Sequence, residues 1–371
     1  MDTKLILFIS PLPPPYYGSA ISSQTCLEIL SENKNFEILN IKLNYSQTFQ
    51  DVDTITFSKI VGSFGVIWTS FKYCVKFKPD LVYIMPATSS FAFVRDFSIS
   101  LLMKMLNQNV IYHLRTQIND INRFKRFIYK KAFKNSKIII LGKELKNEIL
   151  KYFHAQNISI LPNAIPCKLL DNEYKYIEEK RRNKKCLKLL FLSNMIKSKG
   201  WPKVLEAAFY LQIKKTDFML TFAGDWPSDK EKNEFYKLVK QYNLEENVKF
   251  VGHVNEEKKN SLLANTDILL FPTEYKLETF GRVIIEAMEY GIPVIANSIG
   301  SIPSIIEHGE TGFLLKKNTA KEIEEYILKI SDKIILSEMG KKARQRFLDY
   351  YELKIYSKLF TNIIEINLTN Y

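Results

Sequence analysis

Short apolar runs alternate with longer amphipathic ones along this chain, and the rhythm runs through twice. In the first half "KLILFIS", "FEILNIKL", "DLVYIMP", "NVIYHLRTQ" and "KIIILG" are separated by stretches of helical period such as "SAISSQTCLEILSENKN" and "RFKRFIYKKAFKNS". The pattern restarts with "LKLLFLSN", "FMLTFAGD", "VKFVGHV", "DILLFPT" and "IPVIANS", interleaved with "WPKVLEAAFYLQIKK", "KNEFYKLVKQY", "EEKKNSLLANT" and "GRVIIEAMEY". Buried strands joined by amphipathic helices are crossover connections, and crossovers build parallel sheets. The expected fold class is therefore α/β with two doubly wound domains. A length of 371 residues agrees, because single cores stop growing below that size. The segment "NEYKYIEEKRRNKK" at 172–185 is charged, has no apolar stripe and follows "LPNAIP". The expected boundaries are a first domain at 1–165, a charged linker at 166–186 and a second domain at 187–345. A C-terminal helix at 346–371 is long enough to pack back on the first domain.

Composition removes several classes of function. A hydrophobic share of 46% with 25% charged residues is that of an ordinary globular protein, and no apolar run reaches the length of a bilayer span. "TKLILFIS" at 3–10 is too short for a secretory signal and lacks a small-residue cleavage site, so it reads as a buried first strand. Cys26, Cys74, Cys167 and Cys186 show neither a disulfide framework nor zinc-ligand spacing. His154, His253 and His308 form no recognisable ligand set, so no metal is assigned. The cytoplasm is the natural compartment. The net charge of +13 favours a polyanion or an anionic membrane surface as neighbour. Nucleic acid is not the expected partner, because no zinc finger, RNP-type aromatic motif or Arg-rich tail is present.

The stretch "LETFGRVIIEAMEYGIPVIAN" at 277–297 brackets Gly281 with Glu278 and Glu286. "DILLFPT" reads as a buried strand, "EYKLETFG" as the loop at its carboxyl end and "RVIIEAMEY" as a helix. Ligands bind outside the carboxyl ends of parallel strands, and a helix start offers unpaired amides and a positive dipole end to an anion. Carboxylates beside a phosphate site repel the phosphate, so their targets are neutral donors such as sugar hydroxyls. Glu286 is then placed for a ribose and Glu278 for the sugar beyond the phosphates. Both also fit solvated positions beside an amphipathic helix, with Val283, Ile284, Ala287 and Met288 as its core face and Glu289 left to solvent. "SNMIKSKG" at 193–200 is a second strand-to-helix loop, where Lys199 is either a point charge for a diphosphate or one surface lysine among many. The basic segment 123–137 reads as a crossover helix with Phe124, Phe127, Ile128 and Phe133 inward, or as a docking element for anionic lipid.

The run from Glu278 to Glu286, with Phe280 and Gly281 inside it, resembles the nucleotide-sugar signature of retaining family 4 glycosyltransferases of the GT-B fold. "KPDLVYI", "ISILPNAIP", "LFLSNMIKSKGWPKVLEAA", "LTFAGD", "VKFVGHV" and "EHGETGFLL" fall in that family's order and extend the resemblance over most of the chain. It implies two Rossmann-like domains facing a central cleft, with an acceptor on the first and a nucleotide sugar on the second. The implied donor is a nucleoside-diphosphate sugar, a UDP-sugar foremost, with no cofactor and no metal. Glu286 is implied in ribose recognition and Glu278 in contact with the donor sugar. Backbone groups at Thr279, Phe280 and Gly281 are implied to hold sugar and phosphate, and Gly252 to line the base pocket. Asn194 stands where the family usually has arginine, which shifts charge neutralisation toward Lys199. Gly18 is the one glycine of "SPLPPPYYGSA", where the family commonly has a pair. After the strand "VIYHL" the functional residue is either His113 or Arg115. The implied acceptor is a saccharide or lipid-linked oligosaccharide of a bacterial surface polysaccharide such as capsule or lipopolysaccharide. The protein would act in the cytoplasm or at the inner face of the membrane. A catalytically silent nucleotide-sugar-binding protein and a nucleotide-sugar epimerase are the alternatives.

Overall fold

The computed structural model describes residues 3–14, 18–43, 57–87, 90–116, 123–134, 136–150, 157–183 and 185–369. The chain divides into two compact units, one of residues 1–163 with 356–371 and one of residues 164–355. Expected boundaries and observed ones differ at both joins. Residues 166–186 belong to the second unit, and residue 345 falls inside a helix of that unit.

The first unit runs β1 (Lys4–Ser10), α1 (Gly18–Glu32), β2 (Phe36–Lys42), α2 (Phe57–Phe77), β3 (Leu81–Ile84), α3 (Ser90–Met105), β4 (Val110–Leu114), α4 (Arg123–Ala132), β5 (Lys137–Ile140), α5 (Glu144–Leu150) and β6 (Asn157–Ile160). The strands form one parallel sheet in the order β2-β1-β3-β4-β5-β6. Only the step from β1 to β2 moves one way along the sheet. Right-handed crossovers therefore put α1 on one face and α2 to α5 on the other. The strand side chains alternate accordingly. Tyr112 meets Phe133 at 4.5 Å on the α4 side, while its neighbour His113 meets Tyr83 on the α1 side. Phe127, expected inward, is 63% exposed, whereas Tyr129 and Phe133 of the same segment are buried.

The second unit runs α6 (Asp171–Arg182), β7 (Leu187–Leu192), α7 (Trp201–Ile213), β8 (Phe218–Ala223), α8 (Asp229–Gln241), β9 (Val248–Phe250), α9 (Glu256–Ala264), β10 (Ile268–Phe271), α10 (Arg282–Glu289), β11 (Val294–Asn297), α11 (Ile302–Ile305), β12 (Gly312–Leu315), α12 (Ala320–Ile330) and α13 (Lys333–Tyr350). Its strand order, β12-β11-β10-β7-β8-β9, is that of a dinucleotide-binding fold, and the order reverses between β7 and β10. Trp201, Phe191, Phe222 and Phe235 fill the core under α7 and α8. The last helix, α14 (Leu353–Thr369), starts in the second unit and lies mostly in the first. There it joins the α1 face. The Tyr356 hydroxyl meets Cys26 Sγ at 3.0 Å, and the Phe360 ring lies 5.8 Å from that of Tyr83.

The charged segment expected to be a linker is α6, and it is structural although it buries no residue fully. Arg181 donates to the carbonyls of Tyr290 and Leu263, both at 2.7 Å, and so supplies donors to the ends of α10 and α9. Glu289, expected in solvent, is 3% exposed. Its carboxylate accepts from the backbone amides of Lys168 and Leu169, the latter at 2.9 Å. Burial pushes its pKa up, and those two amides with Arg344 and Lys168 oppose the rise.

Candidate functional site

The carboxyl ends of β7 and β10 lie side by side at the strand-order reversal, and the loops leaving them are bound to each other. After β7 the chain passes Ser193 and Asn194, makes a 3-10 turn over Lys197–Lys199 and enters α7 through Gly200. After β10 it runs from Pro272 to Phe280 and enters α10 through Gly281. The Glu274 amide donates to the Ser198 carbonyl at 2.6 Å. Gly200 has φ +95°, and a Cβ there would lie 2.6 Å from the Pro272 carbonyl oxygen. Glycine is thus required both by backbone sign and by the close approach of the two loops. A third strand end ties down the β10 loop. Asn297 Nδ2 donates to the Thr273 carbonyl at 2.9 Å, and the Ser301 amide donates to the Thr279 carbonyl at 2.7 Å.

On this frame Lys199 Nζ meets Glu278 Oε2 at 2.6 Å, with the side chains 14% and 13% exposed. The other Glu278 oxygen, Oε1, accepts from the Gly281 amide at 3.1 Å, so the carboxylate sits at the start of α10. The Tyr275 ring covers the ammonium, with Nζ 4.4 Å from the ring centroid. Lysine retains further N–H donors and the carboxylate further lone pairs, so both groups can take a ligand without parting. Three of the sequence-derived residues, Lys199, Glu278 and Gly281, therefore converge. Thr279 and Phe280 contribute backbone only, since Thr279 is buried and the Phe280 side chain, 4% exposed, packs edge-on against Tyr351 at 6.2 Å.

Glu286 is turned to a different set of partners. Its Oε1 lies 3.0 Å from Lys259 Nζ and 3.4 Å from Arg282 Nε, and Lys259 also reaches Glu256 at 3.0 Å. The hydrogen bond from Lys168 holds the pKa of Glu256 down at about 2. These side chains line a small depression with Ile165. Asn194 is exposed on its loop, and Gly252, with φ +72°, follows β9 and accepts at its carbonyl from the Gly224 amide at 3.0 Å. His253 does meet a carboxylate, Asp225, at 2.8 Å in an exposed pair, and His308 Nδ1 accepts from the Leu314 amide at 3.1 Å. Among the described residues no cluster of three or more His, Cys, Asp or Glu side chains is arranged as a metal site. His154 lies outside the described residues.

In the first unit Gly18 opens α1, and among the described residues no atom lies within 4 Å of where a Cβ would stand. His113 and Arg115 are both buried at the carboxyl end of β4. His113 Nδ1 is 2.6 Å from the Tyr83 hydroxyl, and its Nε2 has no hydrogen-bond partner among the described residues. Arg115 donates to Asn163 Oδ1, to the Tyr356 hydroxyl at 3.0 Å and to Cys26 Sγ at 3.4 Å.

Residues 172–346 match the family model described as glycosyl transferases group 1. Lys199, Glu278, Gly281 and Glu286 all fall inside that match. The N-acetyl-alpha-D-glucosaminyl L-malate synthase of Bacillus anthracis is 32% identical over 164 residues, 44% of this chain. The match spans 41% of that relative's own length. Among solved structures, a glycosyltransferase from Rickettsia africae ESF-5 superposes with a TM-score of 0.75 at 18% identity, covering 100% of both chains. Anabaena Alr3699/HepE in complex with UDP-glucose superposes at 0.69 and 16% identity, covering 98% of this chain and 99% of the other. At such identities the likeness is one of fold: GT-B, with two Rossmann-like domains.

Tyr275, Asn297, Ser301 and Lys259 complete the surroundings and were not singled out by sequence. Each acts through a contact between distant segments, for which local spacing carries no signal. "FPTEYKLE" does place an aromatic three residues before Glu278, which was the one readable cue.

Proposed function

We propose that this chain is a retaining family 4 glycosyltransferase that moves a sugar from a nucleoside-diphosphate sugar, with a UDP-sugar first, to an acceptor hydroxyl. The observation that carries the reading is the Lys199–Glu278 pair, held by two interlocked loops at the strand-order reversal beside the start of α10. In this reading the Lys199 ammonium and the α10 start face the diphosphate, and Glu278 accepts from hydroxyls of the transferred sugar. The bond between the anomeric carbon and the phosphate oxygen breaks with its electron pair going to the diphosphate. The acceptor oxygen bonds to the same face of that carbon, and its proton passes to the departing phosphate oxygen. Charge that develops on the diphosphate is stabilised by donors already in place, without a resident cofactor or metal. Glu286 is assigned to the ribose, Gly252 to the base pocket, Asn194 and Gly18 to the donor phosphates, and His113 to the reacting sugar. The UDP-glucose bound to the Anabaena protein supports the donor class. The acceptor is assigned as a saccharide or lipid-linked oligosaccharide of a surface polysaccharide. The place of action is the cytoplasm, at an anionic membrane surface met by the basic helix α4.

The test combines a thermal-shift screen against UDP, GDP, ADP and their sugars with transfer of labelled sugar and the anomeric configuration of the product. One nucleotide family should stabilise the protein, by about 2.7 kcal/mol at a hundredfold excess over Kd. Lys199→Met strands a largely buried carboxylate and should cost about 3 kcal/mol, whereas Lys199→Met with Glu278→Gln should recover most of that loss. Turnover should stay at least about a hundredfold down in both variants. Stabilisation without transfer would mean a silent binding protein. An inverted product would remove the retaining mechanism, and full turnover in the double variant would remove the pair from the chemistry.

A further inference from the structure

Helix α2 is amphipathic in the wrong direction for a helix packed on a sheet. Its inward side presents Ser63, Val66, Ser70 and Cys74, all buried and mostly small. Its outward side presents Val61, Phe64, Trp68 and Val75, with Phe64 68% and Trp68 62% exposed. Scattered exposed apolar residues need no explanation, but an aromatic pair at i, i+4 inside an apolar stripe does. From Val61 to Val75 the stripe runs about 21 Å at ~1.5 Å rise per residue. Helices α2, α3 and α4 pack in that order on one face of the first sheet. Val94 of α3 and Phe127 of α4 are also more than half exposed.

The charge around it is predominantly positive. Residues 57–134 hold 13 Lys and Arg against 3 Asp and Glu, which accounts for most of the chain's excess of +13. One of the three acids, Asp96, is buried and paired with Arg95 at 2.7 Å. Lys72 and Lys76 flank the α2 stripe, Arg126, Lys130 and Lys131 lie exposed along α4, and Lys134 lies exposed just beyond it. Lys104, at the end of α3, donates to the Lys131 and Lys134 carbonyls and fixes α4 beside it. Among the described residues no helix is long and apolar enough to cross a membrane.

We propose that the outer face of α2, α3 and α4 docks on an anionic lipid bilayer, with Phe64 and Trp68 entering the interface and the lysines and arginines resting on the lipid headgroups. Charge complementarity selects this occupant. A second copy of this chain would bring the same positive field against itself, whereas an anionic bilayer matches both the apolar stripe and its basic flanks. The inference deepens the membrane part of the function proposed above by naming the element that inserts, and it is separable from donor chemistry.

The full-length protein is mixed with phosphatidylcholine vesicles with and without phosphatidylglycerol, and binding is read by co-sedimentation and by tryptophan emission. Trp201 is fully buried and Trp226 packs against Trp201, Phe235 and Phe250, so a blue shift on binding reports Trp68. Binding and the shift should require the anionic lipid. Phe64→Ser with Trp68→Ser should weaken binding by roughly tenfold or more. Replacing Lys72, Lys130 and Lys131 by Gln should weaken it several-fold and flatten its salt dependence. Nucleotide-induced stabilisation should be unchanged in both variants. Absence of vesicle binding, or binding indifferent to the aromatic pair, overturns the proposal. Self-association lost on changing the aromatic pair, without vesicle binding, also overturns it in favour of a protein interface. Vesicle binding in a protein that no nucleotide stabilises would leave this docking intact while removing the transferase reading.

Discussion

His113 is fully buried, with the Tyr83 hydroxyl on one ring nitrogen and, among the described residues, no hydrogen-bond partner on the other. Burial first, and the charge of Arg115 second, push its pKa well below the ordinary histidine value. Unfolding releases that constraint, so below about pH 6.5 the unfolded chain takes up a proton that the folded chain refuses. Stability is therefore lost as pH falls, at up to about 1.4 kcal/mol per pH unit from this residue. Urea unfolding of the first unit between about pH 7 and pH 5 should show this slope, and His113→Gln should reduce it by about one proton equivalent. An unchanged slope would mean that the ring takes up its proton in the folded state. The sequence left His113 and Arg115 as rivals for one role. The structure places both in one buried cluster with Cys26, Tyr83 and Tyr356, drawn from two helices and two strands far apart in sequence. Residue type and distance from a strand end were legible. The partners that set the chemistry of each group were not, because they arrive through the fold.

At the scale of elements, periodicity read the parallel strands and the helices between them, since a two-sided buried strand and a one-sided helix leave different patterns. Helices α6 and α2 and the burial of Glu289 escaped for identifiable reasons. Helix α6 has no apolar stripe because Arg181 joins it to carbonyl ends of α9 and α10 through hydrogen bonds. Glu289 follows the core face of α10 and is polar, yet it is buried to accept two backbone amides. Helix α2 carries its large apolar residues on the exposed side and small ones inward, the reverse of the pattern that marks a helix packed on a sheet. The loops of the candidate site were legible as loops, but their mutual fit was not. That fit is tested at Gly200, where alanine meets both φ +95° and a carbonyl oxygen 2.6 Å away. Gly200→Ala should destabilise the second unit by about 2–3 kcal/mol. It should also weaken nucleotide-induced stabilisation, because Lys199 adjoins the displaced turn. A neutral substitution would show that the β7 and β10 loops can move apart freely.

At the scale of the whole molecule, the chain leaves the first unit after Asn163 and returns to it at Tyr356. The two passages are neighbours inside the second unit, where the Ile165 amide donates to the Tyr351 carbonyl at 3.1 Å and the Leu353 amide to the Ile165 carbonyl at 2.9 Å. The returning helix α14 is a full member of the first unit's core, with Tyr356 3%, Phe360 0% and Ile364 0% exposed. Its Asn367 carbonyl also accepts from Asn109 Nδ2 at 2.8 Å. A chain ending at Ile355 would lose these three side chains, each worth about 1.5–3 kcal/mol when buried. It would also leave Cys26, Tyr83 and Arg115 without the Tyr356 and Phe360 contacts. The summed loss is comparable with the ~5–15 kcal/mol by which a whole domain is stable. Calorimetry of the truncated chain should therefore show the first unit's transition lost or moved well below its normal temperature. The second unit's transition, and its shift with nucleotide, should remain near the full-length values. Retention of both transitions would mean that α1 and the sheet close that face without the returning helix. Loss of both would mean that the second unit depends on the first for its own stability.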